Sequence, residues 1–315
     1  MNIGILDFSG VPINHGRKRA QGKETRLLVK AINNLGHKSS IIAADKCQMY
    51  FHGKQFEVLE KNKKFKGCDV LIPRIDLIHG LDLEISILKQ FQLNNIPVIN
   101  QYIPILNAKN KLRSMQILSQ KGIPVPRTVI VRKFDYLDAA IDAVGGYPVI
   151  LKAPFGTLGS GVVIVESRRS LHSALGMLLD SVKFNVLMIQ EYVKEAEGVD
   201  YRAFVIGNKV GASMKRTAGK GEFRSNLHLG GEASPAELTL KEQKLAVRAI
   251  QALRLQVGGV DILRTSNGPV VMEVNANPGF RDITEVTGID VAKKLVQYAV
   301  KFAGDGVKSK KKAKK

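Results

Sequence analysis

Apolar and polar positions along the first hundred residues fall into blocks that favour strands and helices by turns. Residues 2–7 form a short apolar run, followed by a polar loop holding Gly10, Pro12 and Gly16. Leu27, Leu28, Ala31, Ile32 and Leu35 recur at helical spacing, and Gly36 stands where a C′ glycine would end that helix. Residues 39–44 and 69–73 predict strands, Leu81 to Phe91 predicts a helix, and residues 96–99 predict one more strand. Such alternation implies a parallel sheet flanked by helices.

Residues 100–108 read as a linker, and 109–120 as a helix stopped by Gly122 and Pro124. The pattern then changes. Strands over 125–131, 148–153, 162–166 and 186–192 alternate with helices over 135–144 and near 170–179. Beyond Asp200 the runs are mostly strands in hairpin order, with helices over 239–253 and 289–302. Antiparallel strands with helices gathered elsewhere indicate an α+β module. The lysine-rich end after Gly304 has no apolar face and is expected to be disordered.

Composition is that of an ordinary globular chain: 315 residues, 44% hydrophobic and 24% charged, long enough for about two domains. No apolar stretch is long enough for a membrane span, and the N-terminus lacks a basic region and cleavage site. Cys47 and Cys68 form no C-x-x-C pair, so a cytoplasmic protein is expected. The charge is less ordinary, +20 from 48 Lys and Arg against 28 Asp and Glu. Six lysines crowd the last eight residues, and the body stays basic without them. A basic surface attracts polyanions. Aromatic residues are only 6% and no Trp is present, which argues against sequence-specific binding of nucleic acid.

The strongest chemical signal is a pair of apolar strands around Ser266-Asn267-Gly268. A two-residue Asn-Gly loop would pair Asp261 with Val274. A three-residue loop with Gly268 as a G1 bulge would place Asp261 opposite Glu273. Asn275, two residues on, then shares the face of Glu273. Two carboxylates and an amide oxygen converging this way suit a hard divalent cation, magnesium or manganese. The alternative for the same acids is ion pairing with Arg202, Arg216 or Arg281.

The loop Gly156-Thr157-Leu158-Gly159-Ser160-Gly161 opens into a strand and lacks the Walker ending, yet its amides could cover a triphosphate. Lys152 ends the preceding apolar strand, well placed for phosphate or, alternatively, snorkelling from an edge. Gln190-Glu191-Tyr192-Val193 with Asp200 could border a nucleoside, or be an ordinary strand end. The run from Lys215-Arg216 to Arg224-Ser225-Asn226 offers contacts to an anionic substrate, or is a solvated loop. His228 reads more simply as structural than catalytic.

In this order the residues resemble the ATP-grasp superfamily, and within it the RimK group of glutamate ligases. The matching stretches are Ile72-Pro73-Arg74-Ile75, Asn110-Lys111-Leu112-Arg113, Lys152, Gly156-Thr157, Gln190-Glu191-Tyr192 and Phe223-Arg224-Ser225-Asn226. They continue through Gly259-Val260-Asp261 and Met272-Glu273-Val274-Asn275 to Pro278-Gly279 and Thr287-Gly288-Ile289-Asp290. The resemblance implies a Rossmann-like pre-ATP-grasp domain over 1–105 and an α+β ATP-grasp module over 106–303, with subdomains 106–190 and 191–303 and a tail over 304–315.

It also implies roles. Lys111, Lys152, Gly156 and Thr157 would contact ATP phosphates. Glu191, Tyr192 and Val193 would border adenine, and Asp200 would hold the ribose. Arg216, Arg224, Ser225 and Asn226 would line the phosphate and amino-acid side, the two arginines as catalytic groups. Asp261, Glu273 and Asn275 would bind two Mg2+ or Mn2+ ions. The implied reaction joins glutamate, the expected donor, to an acceptor amine through an acyl phosphate, releasing ADP and phosphate. The resemblance points to a protein or peptide acceptor, a small-subunit ribosomal protein being the expected one, and to a dimeric or tetrameric assembly. A small-molecule or coenzyme acceptor is the alternative within the family; a basic RNA- or ribosome-binding protein with an inactive core is the alternative outside it. The chain departs from the family pattern at Asn110, where Asp is usual, and at Phe280-Arg281-Asp282-Ile283-Thr284, where Leu-x-Gly-Ile-Glu is usual.

Overall fold

The computed structural model describes residues 1–8, 22–75, 81–152, 161–181, 186–227 and 230–312. The first domain opens with β1 (Asn2–Asp7), α1 (Lys23–Asn34) and β2 (Lys38–Ala43). An antiparallel excursion follows, β3 (Cys47–His52), β4 (Gln55–Glu60) and β5 (Lys63–Lys64). The chain then returns as β6 (Val70–Arg74) and α2 (Leu81–Leu93). Strands β2, β1 and β6 form a parallel sheet in that order, with β1 central. Ile3, Ile5 and Leu6 are fully buried, as a centre strand covered on both faces requires. Gly36 follows α1 with φ +75°, the left-handed C′ position expected from its place in the sequence.

Two expectations change here, and one region was not foreseen. Residues 96–99 make a single parallel bridge, Leu71 to Val98, instead of a strand, because Pro97 interrupts the ladder. The supposed linker holds α3 (Tyr102–Lys109), where Pro104 sits in the first turn and needs no intrahelical donor. Strands β3 to β5 carried no signal because little of them is buried, so no alternation marks them; Phe51 is 69% exposed.

Next come α4 (Lys111–Gln120), β7 (Thr128–Val131), α5 (Leu137–Ala143), β8 (Val149–Lys152), β9 (Val162–Val165), α6 (Arg168–Ser181) and β10 (Leu187–Glu191). Asn110 caps α4, its side chain accepting from the Arg113 amide at 3.0 Å. Asn caps as well as Asp does, so the departure at this position keeps the local geometry. The four strands form an antiparallel sheet in the order β7-β10-β8-β9, with α5 and α6 packed on it through Leu137, Ile141, Leu151, Leu171 and Ile189.

The last part contains β11 (Val199–Ile206), β12 (Lys209–Thr217), β13 (Glu232–Pro235), α7 (Leu240–Ala252), β14 (Val257–Thr265), β15 (Gly268–Asn275), α8 (Arg281–Thr287) and α9 (Val291–Lys312). Its strands form a second antiparallel sheet, β13-β12-β11-β14-β15. Helix α7 packs beneath β14 and β15, and α9 lies against α1. A tail expected to be disordered from residue 304 is instead the continuation of α9 to Lys312; lysine is a good helix former and no proline intervenes. No described helix is long and apolar enough to cross a membrane.

Candidate active site

The β14–β15 hairpin positions the acids. Its turn is a two-residue loop, Ser266-Asn267, closed by Thr265 opposite Gly268, which has φ +115°. Regular pairing runs to Ile262 opposite Val271, and the register then shifts so that Asp261 faces Glu273. The expected pairing is therefore present, but the extra residue is Met272, mid-strand, not Gly268 at the turn. Gly259 faces Asn275 two pairs further on.

Neighbouring rungs explain the electrostatics. Arg202 on β11 lies directly opposite Asp261, and Asp200 directly opposite Arg216 on β12. Cross-strand neighbours of opposite charge pair readily. Arg202 donates to both Asp261 oxygens at 2.7 and 2.6 Å, and Arg216 to both Asp200 oxygens at 2.7 and 2.6 Å. Arg216 also reaches Asp261 at 2.9 Å, and Ser225 donates to Asp200. Burial opposes the Asp261 charge, yet Arg202 and Arg216 hold its carboxyl well below the usual range. Burial and then the neighbouring Asp261 raise Asp200, against the pull of Arg216.

The pairing with Arg202 and Arg216 considered for these acids is thus formed by Asp261. Arg281 instead pairs with Asp282 and Glu285. Asp200, aimed by the resemblance at a ribose, is turned toward Arg216 and Ser225.

Glu273 is more lightly held, with Lys111 Nζ at 3.4 Å. Burial works against its charge, but Lys111 keeps its carboxyl below the ordinary value. Lys152 closes β8 and donates to Gln190 Oε1 at 2.6 Å. Burial pushes its ammonium down to about 8, partly offset by Glu273. Glu191 pairs with Arg127 at the end of β10. Arg224 is held by Glu222 at 2.6 Å, which draws that carboxyl down to about 2.

Asp200, Asp261, Glu273, Arg202, Arg216, Arg224, Lys111 and Lys152 line one cavity of about 740 Å³ between these two antiparallel sheets and the first domain. It gathers Lys111, Lys152, Glu191, Tyr192, Val193, Asp200, Arg216, Arg224, Ser225, Asn226, Asp261, Glu273 and Asn275. Gly156, Thr157 and His228 lie outside the described residues. No described histidine or cysteine lines the cavity. The sequence reading assigned no role to Arg74 and Lys109, which also line it. Their signal was present, an arginine ending an apolar strand and a lysine two positions before Lys111.

The donor chemistry fits a divalent cation. Asp261 and Glu273 face each other across the hairpin, Asn275 adds an amide oxygen from the same strand as Glu273, and all are oxygen ligands. Among the described residues no cluster reaches three His, Cys, Asp or Glu, so the third ligand would be the amide. The cavity size and its lysines suit a nucleotide triphosphate.

Known proteins bear on this geometry. The RimK-like ATP-grasp domain matches residues 108–299 and the RimK PreATP-grasp domain matches residues 17–105. A probable alpha-L-glutamate ligase of Pseudoalteromonas translucida (strain TAC 125) is 41% identical over 306 residues, 96% of each chain. That of Aliivibrio salmonicida (strain LFI1238) is 42% identical over 282 residues, 89% of this chain and 92% of its own. Among solved structures, the ATP-grasp ligase PsnB complexed with minimal precursor superposes with a TM-score of 0.71 at 17% identity, covering 95% of this chain and 98% of its own. The D-alanine–D-alanine ligase of Bacillus anthracis gives 0.68 at 18% identity, covering 98% and 99%. These two share the fold.

Proposed function

This chain belongs to the RimK-like ATP-grasp family, ligases that form carbon–nitrogen bonds, and we propose on that basis that it is an ATP-dependent α-L-glutamate ligase acting on a peptide acceptor. The observation that carries the reading is a cavity in which Lys111 and Lys152 meet the Asp261–Glu273 pair. The relatives' name supports glutamate as donor. A ribosomal-protein acceptor and assembly as a dimer or tetramer belong to the same proposal and rest on the resemblance.

In this mechanism ATP phosphates lie against Lys111 and Lys152, whose charges offset the negative charge gathering on the transferred phosphoryl group. The nucleoside lies along Glu191, Tyr192 and Val193. Asp261, Glu273 and Asn275 would hold Mg2+ or Mn2+, which supplies Lewis-acid stabilisation of phosphate oxygens when bound. A substrate carboxylate attacks the γ-phosphorus in line, displacing ADP. Arg224 and Arg216 stand on the side where the resulting acyl phosphate meets the amine. Attack of that amine on the acyl carbon forms the amide and releases phosphate, and the amine's proton passes to solvent or phosphate.

Purified protein given ATP, Mg2+, glutamate and a glutamate-ended peptide should release ADP and phosphate in step with peptide lengthening seen by mass spectrometry. Release of AMP and pyrophosphate, or turnover indifferent to glutamate, would overturn the reading.

A further inference from the structure

Two cations of the cavity stand outside the phosphate-facing set. Arg74 ends β6, opposite Asp7 in the sheet register, and Lys109 ends α3. Both face the cavity on the side of the first domain, with Asn277 and Gly279. Arg74 donates two long hydrogen bonds, 3.4 and 3.3 Å, to one carbonyl, that of Pro278. Its guanidinium lies over the Phe280 ring at 5.2 Å, and Phe280 is one of the residues that depart from the RimK pattern. A ring face and one carbonyl orient a guanidinium without neutralising it. Lys109 has no hydrogen-bond or ion-pair partner among the described residues.

Burial pushes Arg74 down to about 10, although Glu24 and Asp7 nearby favour its charge. Burial likewise lowers Lys109; Glu273 opposes that, while Lys111 and Arg74 add repulsion. A desolvated arginine and a desolvated lysine lining the same open cavity are each stabilised by an anion that enters it. The planar fork of arginine matches a carboxylate with two parallel hydrogen bonds, and a lysine adds a point charge.

We propose that Arg74 and Lys109 form a carboxylate subsite that holds the unreacted carboxylate of an acidic amino acid and so selects a dicarboxylic substrate over a neutral one. This rests on the glutamate-ligase reading of the same cavity. Lys111 and Lys152 face the metal-site acids and take the phosphates. The pair nearer the first domain is left for the amino acid.

The test is calorimetric titration of the whole protein, loaded with Mg2+ and the non-hydrolysable analogue AMPPNP, with glutamate and with glutamine. Wild type should bind glutamate more tightly than glutamine. Arg74→Lys and Lys109→Gln should each weaken glutamate by about tenfold or more, with glutamine changed by less than about threefold. AMPPNP affinity should stay within about twofold, which also certifies that each variant is folded. Equal losses for the two amino acids, or loss of AMPPNP with glutamate retained, would overturn the subsite. So would a wild type that does not discriminate between them. Wild type that selects glutamate but makes no ADP with it would support the subsite while refuting the ligase reading. Glutamate-dependent ADP release by wild type, with glutamate bound equally by the variants, would refute the subsite alone.

Discussion

Lys152 shows how a single residue ties folding to ligand binding. Its ammonium is drawn down to about 8 by burial, from 10.5 in water. Below pH 8 both folded and unfolded states hold the proton. Between about 8 and 10.5 the unfolded chain binds more protons, so this group makes the protein more stable as pH rises through that window. On the proposed function ATP affinity should move the other way, because the charge assigned to phosphate is lost. Titration of AMPPNP from pH 7 to 9.5 should show weakening that begins near pH 8, with a limiting slope of about tenfold per unit. Lys152→Met should bind more weakly at pH 7 and lose the slope attributable to this group; an unchanged profile would assign the titration elsewhere.

At the level of elements, the β14–β15 hairpin and the helix beneath it act together. Thr239 and Glu242 form a capping box at the start of α7, and Glu242 also binds Arg264 of β14 at 2.6 and 3.0 Å. Arg264 in turn lies over Tyr201 of β11, 3.7 Å from the ring centre. Gly258 permits the close approach of the layers. A Cβ there would stand 2.4 Å from Ile250 Cδ1 of α7 and 3.0 Å from the Asn275 carbonyl. The second contact is backbone and cannot swing aside. Gly258→Ala should therefore lower stability by about 1–3 kcal/mol, read as a lower urea midpoint. Because the strain falls on the strand end bearing Asn275, Mn2+ affinity measured by electron paramagnetic resonance should fall as well.

Across the whole molecule, Asn100 locks the first domain to the site. It is 3% exposed, and its amide donates to the Val257 and Ala276 carbonyls at 2.6 and 2.8 Å. Its oxygen accepts from the Gln256 and Val257 amides at 2.7 and 2.9 Å. One side chain thus satisfies four backbone groups at the start of β14 and the end of β15. Asn100→Ala should cost at least about 3 kcal/mol, since those buried groups lose their partners. Asn100→Asp, of the same shape, should also destabilise, because an ionised carboxylate would face two carbonyls. A denaturation midpoint equal to wild type in both variants would show that the domains are held elsewhere.

Much of this was legible in the sequence. The helices and most strands follow from periodicity; the opposition of Asp261 to Glu273 was expected from a three-residue turn and arises instead from a bulge at Met272. These are local properties, set by the pitch of a helix or the pleat of a strand. Their limits were physical too: β3 to β5 bury too little to leave a pattern, and α3 hid behind a proline. Only the tertiary structure decided which charges meet. Asp200 with Arg216 and Arg202 with Asp261 are pairings between separate strands, and Arg74 and Lys109 reach the same cavity from separate elements. They depend on strand register and domain docking, and burial then decides what each charge is worth. The sequence by itself determined the elements and the kinds of chemistry they could carry; the packing of the two sheets against the first domain determined which charges share the cavity.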